Sequence, residues 1–186
     1  MPVTTLDPKT ALVVIDLQKG LASYPTAPHS VADTVANAAR LARAFRNRGL
    51  PVVLVNVTGG APGRTEQQVR GGERPADWAE LMPELDPQPS DIRVTKRTWG
   101  AFPYTDLEAK LRGAGVTQIV LAGIATSIGV GSTAREAYAL GFNVTLATDA
   151  MTDLDEAAHD NSVRRIFPRL GETGTVEEIV GLLEQQ

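Results

Sequence analysis

The segment Ala11-Leu-Val-Val-Ile15 is an unbroken apolar run of strand length, and a carboxylate, Asp16, ends it. Strict alternation marks a strand with one wet face. A continuous run rich in β-branched residues marks a strand covered on both faces, which is the habit of parallel sheets. Four further short runs rich in β-branched residues are expected as strands: Pro51-Val-Val-Leu-Val-Asn-Val57, Asp91-Ile-Arg-Val-Thr95, Thr117-Gln-Ile-Val-Leu-Ala122 and Phe142-Asn-Val-Thr-Leu-Ala147. A weak sixth strand falls near Arg169–Thr173.

Segments of helical period lie between these runs. Ser30 is a predicted N-cap for a helix reaching Arg48, with Val31, Val35, Ala38, Ala42 and Phe45 on one stripe and Gly49 as its stop. Further helices are expected from a Thr105 cap to Gly113, after the fourth strand to about Leu140, near Leu154–Ile166, and over Thr175–Glu184. Thr58 to Ser90 differs, with five Gly, five Pro and at most one short helix around Pro75–Met82. A loop this long is usually a lid or binding loop; a mobile surface insertion is the other reading. Strands and helices in alternation, joined by right-handed crossovers, predict a three-layer α/β/α fold: a doubly wound parallel sheet of six strands in one domain, 1–186.

Composition narrows the function classes. The chain has 186 residues with 18 Lys plus Arg against 22 Asp plus Glu, a net charge of −4, and its basic residues are scattered. That argues against a nucleic-acid surface. The longest apolar runs are too short to span a bilayer, and Met1–Pro8 shows no basic segment followed by an apolar one. A cytoplasmic protein with a small-molecule substrate and no nucleic-acid or membrane partner is expected. The chain contains no cysteine, which excludes disulfides, thiolate metal sites and a thiol nucleophile together.

In doubly wound sheets ligands bind beyond the carboxyl ends of the strands, where the strand order reverses. The candidate residues therefore lie in Asp16-Leu-Gln18, Lys96–Phe102, Gly123–Gly131 and Thr148-Asp149-Ala150. In the order 3-2-1-4-5-6 the first and fourth strands adjoin, so Asp16 faces the Gly123–Gly129 turn. A carboxylate at a buried strand end needs a partner, and Lys96 lies on the same rim. The pair reads either as a structural ion pair or as a general acid or base tuned by burial against a cation. The turn has three readings. It could cradle phosphate, although it matches neither GxGxxG nor GxxxxGK[ST]. It could be a serine elbow at Ser127, with Asp149 or Asp153 and then His159 following in order. It could also present backbone N–H donors to a carboxylate or oxyanion. Gln18 either binds substrate or caps strand-end carbonyls, and Trp99 and Phe102 are expected as pocket walls, with core packing as the other reading. Arg64, Gln67, Arg70 and Trp78 read as solvated loop residues, with contact to an anionic or cyclic substrate as the alternative. Tyr104, His29 and His159 are expected at the surface, and Asp149 at the end of the fifth strand.

These residues resemble a family, the isochorismatase-like hydrolases of the cysteine hydrolase superfamily. The resemblance rests on Val13-Val-Ile-Asp16-Leu-Gln18, on Lys96-Arg97 with Phe102 and Thr105-Asp-Leu107, and on Gly123-Ile-Ala-Thr126 through Thr133-Ala-Arg-Glu-Ala137 with Asp149-Ala150 after it. It implies that Asp16 and Lys96 match two members of the Asp–Lys–Cys triad of the family's amidohydrolases. The cysteine position falls on Gly129. The resemblance also implies that members with Gly there hydrolyse a vinyl ether, with Asp16 as the acid. It implies a cis peptide at Ile124–Ala125, oxyanion donors at the N–H groups of Ala125 and Gly129, and a homo-oligomer. Some members hold a zinc-type ion through a His-rich loop after the second strand; Thr58–Ser90 contains no His, so no metal or other cofactor is expected. An amidase using Ser127 or activated water, and a binding protein that kept the pocket without turnover, are the alternatives.

Overall fold

The computed structural model describes residues 2–66 and 73–185, so Gln67 and Arg70 lie outside the described residues. Its strands are β1 (Thr10–Ile15), β2 (Val52–Val57), β3 (Ile92–Lys96), β4 (Gln118–Ile124), β5 (Asn143–Thr152) and β6 (Glu172–Gly174). They form one sheet in the order β3-β2-β1-β4-β5-β6, and every pairing is parallel. The helices are α1 (Val31–Asn47), α2 (Leu107–Gly113), α3 (Gly131–Ala139), α4 (Glu156–Asn161) and α5 (Val176–Glu184).

The pleat explains why β1 reads as a continuous apolar run. Leu12 and Val14 join one core with Val35, Leu41 and Phe45 of α1 and Ile179 and Leu183 of α5. Ala11, Val13 and Ile15 join the other with Leu107 and Leu111 of α2 and Ala134 and Ala137 of α3. Both faces of the strand are dry, so neither can be polar. Side chains cap the starts of α1, α4 and α5. Ser30 accepts the Asp33 N–H at 3.0 Å, and Thr175 with Glu178 forms a reciprocal capping box on α5.

Four elements depart from the sequence expectation. Pro75–Met82 forms turns, with Trp78 N–H on Pro75 O and Glu80 N–H on Asp77 O. Its carbonyls are taken by neighbours: Lys19 N–H donates to Glu80 O, Gly20 N–H to Trp78 O and the Asn56 amide to Ala79 O. Those cross-links hold the chain flat against the end of β2, where a helix would keep the carbonyls for itself. β5 extends to Thr152, so Asp149 lies inside the strand, where its Oδ1 accepts the Val176 N–H that opens α5. The helix near Leu154–Ile166 is α4 followed by a wider π turn over Ser162–Ile166. Asp106, not Thr105, precedes α2, although Thr105 Oγ1 still accepts the Leu107 N–H at 3.3 Å.

Candidate active site

The site is built where β1 and β4 meet. Ile15 pairs with Gly123, whose φ of 120° suits glycine, and a β-carbon there would collide with the Ile15 backbone. This close approach brings the turn after β4 directly against Asp16. Asp16 itself has φ 55°, a left-handed conformation in which its N–H still donates to Val55 O at 2.9 Å. A non-glycine residue there costs about 1–2 kcal/mol, and the surrounding sheet end must enforce it.

Lys96 is the last residue of β3, two strands away. Its ammonium lies 2.7 Å from Asp16 Oδ2 and donates to Thr98 O at 3.0 Å. Asp16 is only 5% exposed and Lys96 2%. Burial pushes the Asp16 carboxyl up from 3.8 to about 6, although the Lys96 charge and its hydrogen bond pull the other way. Desolvation wins, so the group holds a proton through mildly acidic pH. Asp16 Oδ1 is buried and has no hydrogen-bond partner among the described residues. An orphaned carboxylate oxygen of this kind is costly for the fold by itself and is suited to meeting a bound group.

Opposite Asp16 stands Gly129. A β-carbon at this position would lie 3.3 Å from Asp16 Oδ2, 3.0 Å from Ile15 Cγ2 and 3.2 Å from Ile124 O. The turn that carries it starts from a cis peptide at Ile124–Ala125, the bond implied by the resemblance, and winds as a single π turn over Thr126–Val130. Ala125 O accepts the N–H groups of both Ile128 and Val130.

Other expected site residues are used elsewhere. Gln18 is fully buried; its Oε1 accepts the Val57 N–H at 2.8 Å and its Nε2 donates to Val57 O and Trp78 O. That is the strand-capping reading. Phe102 follows the core-packing reading: it stacks on Phe142, which precedes β5 at the amino end of the sheet, with ring centroids 5.9 Å apart. Trp99 is 62% exposed. Trp78 packs its indole over Gly20, where a β-carbon would overlap it, and carries the Arg74 guanidinium on its face. Arg64 and Tyr104 are exposed.

The serine elbow is not assembled. Ser127 offers its backbone N–H to Asp153 Oδ2 at 2.6 Å, and the same carboxylate accepts the Leu154 and Asp155 N–H groups. His159 is buried rather than at the surface, with Nδ1 2.8 Å from Thr126 Oγ1, and His29, half-buried, meets it edge-on. Burial lowers the His159 pKa and the nearby His29 adds to that effect. Among the described residues no three His, Asp or Glu side chains converge to hold a metal, and the one cation beside Asp16 is the Lys96 ammonium. These residues do not fit a His-rich zinc site. A cleft of about 450 Å³ at the amino ends of β4 and β5 lies at the far rim, where Asp7 and Asn143 bond to each other.

Sequence reading missed Thr133 and Glu136. Thr133 Oγ1 donates to Gly129 O at 2.7 Å and accepts the Ala101 N–H at 3.2 Å, while Glu136 Oε2 accepts the Phe102 N–H. The available signal was spacing: residues 129, 133 and 136 recur at i, i+4 and i+7 on one helical face.

An isochorismatase domain matches residues 10–178. The uncharacterized isochorismatase family protein YwoC of Bacillus subtilis (strain 168) is 46% identical over 92% of this chain and 93% of its own. The solved structure of an isochorismatase family protein from Burkholderia thailandensis superposes with a TM-score of 0.93 at 42% identity, covering 97% of this chain and 98% of that one. A ureidoacrylate amidohydrolase, RutB of Variovorax paradoxus (strain S110), is 31% identical over 92% of this chain and 80% of its own. With the same fold and matches over nearly its whole length, the chain belongs to the isochorismatase family of hydrolases.

Proposed function

We propose that the protein hydrolyses an enol-ether, or comparably acid-labile, bond in a small carboxylated substrate, with Asp16 as general acid and no cysteine nucleophile. One observation carries this reading: a buried Asp16 carboxyl raised to about 6, with Oδ1 unpartnered, beside a residue that has no side chain. Protonated Asp16 gives its proton to the terminal carbon of the C=C–O unit. The C=C π electrons form the new C–H bond, and the carbon bearing oxygen becomes an oxocarbenium ion. Water adds to that carbon and returns a proton to the Asp16 carboxylate; the hemiketal then collapses to a carbonyl compound and an alcohol. Lys96 holds Oδ2, which leaves Oδ1 as the working oxygen, and it stabilises the carboxylate once the proton has left. In this reading the N–H groups of Ala125 and Gly129, the donor positions implied by the resemblance, serve a substrate carboxylate.

Hydrolysis of isochorismate in D2O, with the released pyruvate trapped at once as lactate, tests the step. One deuterium in the new methyl group is expected, and Asp16→Asn should lower kcat by about 10²–10⁴-fold. Cleavage without deuterium at carbon, or full activity in Asp16→Asn, refutes the acid role. The amidohydrolase at 31% identity favours a second reading, amide hydrolysis by Ser127 or activated water. Release of ammonia from a ureido or amide substrate, abolished by Ser127→Ala, would establish that reading instead. Tight substrate binding with no turnover of either class would mark a binding protein.

A further inference from the structure

The turn that carries Gly129 is gripped by side chains on two sides. From α3, Thr133 Oγ1 donates to Gly129 O at 2.7 Å. The other grip comes from the segment after β5, which offers two side chains to two successive residues of the turn. Asp153 Oδ2 accepts the Ser127 N–H at 2.6 Å, and His159 Nδ1 lies 2.8 Å from Thr126 Oγ1. In either tautomer of the imidazole one of these two groups donates and the other accepts. Thr126 is fully buried and His159 is 5% exposed, so a partner lost here is not replaced by bulk water.

The support behind this grip is itself fixed. Asp153 is bridged to Ala27, each N–H donating to the other's carbonyl. Asp155 caps α4 by accepting the Ala158 N–H at 3.0 Å, and His29 packs edge-on against the His159 ring with centroids 6.1 Å apart.

We propose that His159 is a positioning residue for the Gly129 turn: its bond to Thr126, beside the Asp153 contact, fixes where the Ala125 and Gly129 N–H groups stand. The proposal rests on the reading of those N–H groups as donors to a substrate carboxylate. Ala125 O accepts the Ile128 and Val130 N–H groups, and both bonds are internal to the turn. They wind it without setting its orientation, because a tilt of the whole turn would keep them and still move the donors. Thr126 is the first residue of the turn, adjacent to one donor and three positions before the other, so a hold at Thr126 acts on both.

The test is amide hydrogen exchange of the full chain, with kcat and KM for isochorismate measured beside it. Thr126→Val and His159→Leu each remove the bond from one end. In both, exchange of the Ile128 and Val130 N–H groups should rise about tenfold relative to Leu121 in the core of β4, the effect of losing one buried hydrogen bond. KM should rise by about tenfold with kcat within about twofold, because the turn holds a non-reacting group and Asp16 is untouched. Thr126→Ser, which keeps the hydroxyl, should restore wild-type exchange and KM. Exchange at Ile128 and Val130 that changes only in step with Leu121 overturns the proposal, as does a loosened turn with unchanged KM. If His159→Leu does not fold, the contrast between Thr126→Val and Thr126→Ser decides, and equal exchange in those two overturns the proposal. A wild type that does not turn over isochorismate refutes the proposed reaction, whereas the exchange rates decide by themselves whether His159 holds the turn.

Discussion

Replacing Lys96 by Met removes the ammonium 2.7 Å from Asp16 Oδ2 and leaves the carboxyl as deeply buried as before. In the wild type the folded-state pKa of Asp16 is raised from 3.8 to about 6, a gap of roughly 3 kcal/mol by linkage. A carboxyl raised by folding contributes stability that is fully present below pH 3.8 and is lost as pH rises through the folded value. Loss of a close opposite charge adds about 1–3 pH units, so Asp16 should titrate at roughly 7–9 in the variant. The linked loss then grows to about 4–7 kcal/mol. Urea unfolding of both proteins from pH 4 to pH 9 measures this directly. The two stability curves should run parallel below pH 5 and part above pH 6, diverging by about 1–4 kcal/mol at pH 9. Two curves that stay parallel across the range would refute the reasoning, because Lys96 would then have no hold on the Asp16 proton.

Gly129→Cys restores a side chain where the family's amidohydrolases carry their nucleophile. A β-carbon there is tight against Ile15 Cγ2, the Ile124 carbonyl and Asp16 Oδ2, each of which must give by a few tenths of an ångström, so the variant should fold with a cost of about 1–3 kcal/mol. As the chain's single thiol it should react with iodoacetamide at one site per protein, and failure to label the folded variant would show that position 129 does not open to the crevice. Gln18→Ala removes three hydrogen bonds to the backbone of Val57 and Trp78 and should cost about 2–4 kcal/mol of stability by chemical denaturation. Unchanged stability with a raised KM would return Gln18 to the substrate-binding role.

The layer order was legible because it follows from burial on two faces: β1 could be read as covered on both sides from Ala11–Ile15, and Ser30 and Thr175 announced their helices. Local cues failed where a distant segment competes for the same backbone groups. The turns at 76–80 yield their carbonyls to Lys19, Gly20 and Asn56, residues more than twenty positions away in sequence. His159 carries no sequence mark of burial, yet it lies under the turn that holds Gly129.

By itself the sequence determined that Asp16, Lys96 and Gly129 follow strand ends, since apolar runs and the helical segments between them require only chain-local pattern; that the strands adjoin in the assumed order is shown by the sheet itself. It could not decide the charge on Asp16, because that balance sets burial against a cation brought from two strands away. Nor could it separate Gln18 and Phe102, used for the backbone and the core, from groups that face the crevice. Those assignments depend on where each side chain finds its partner, and only the packed tertiary structure supplies the partners.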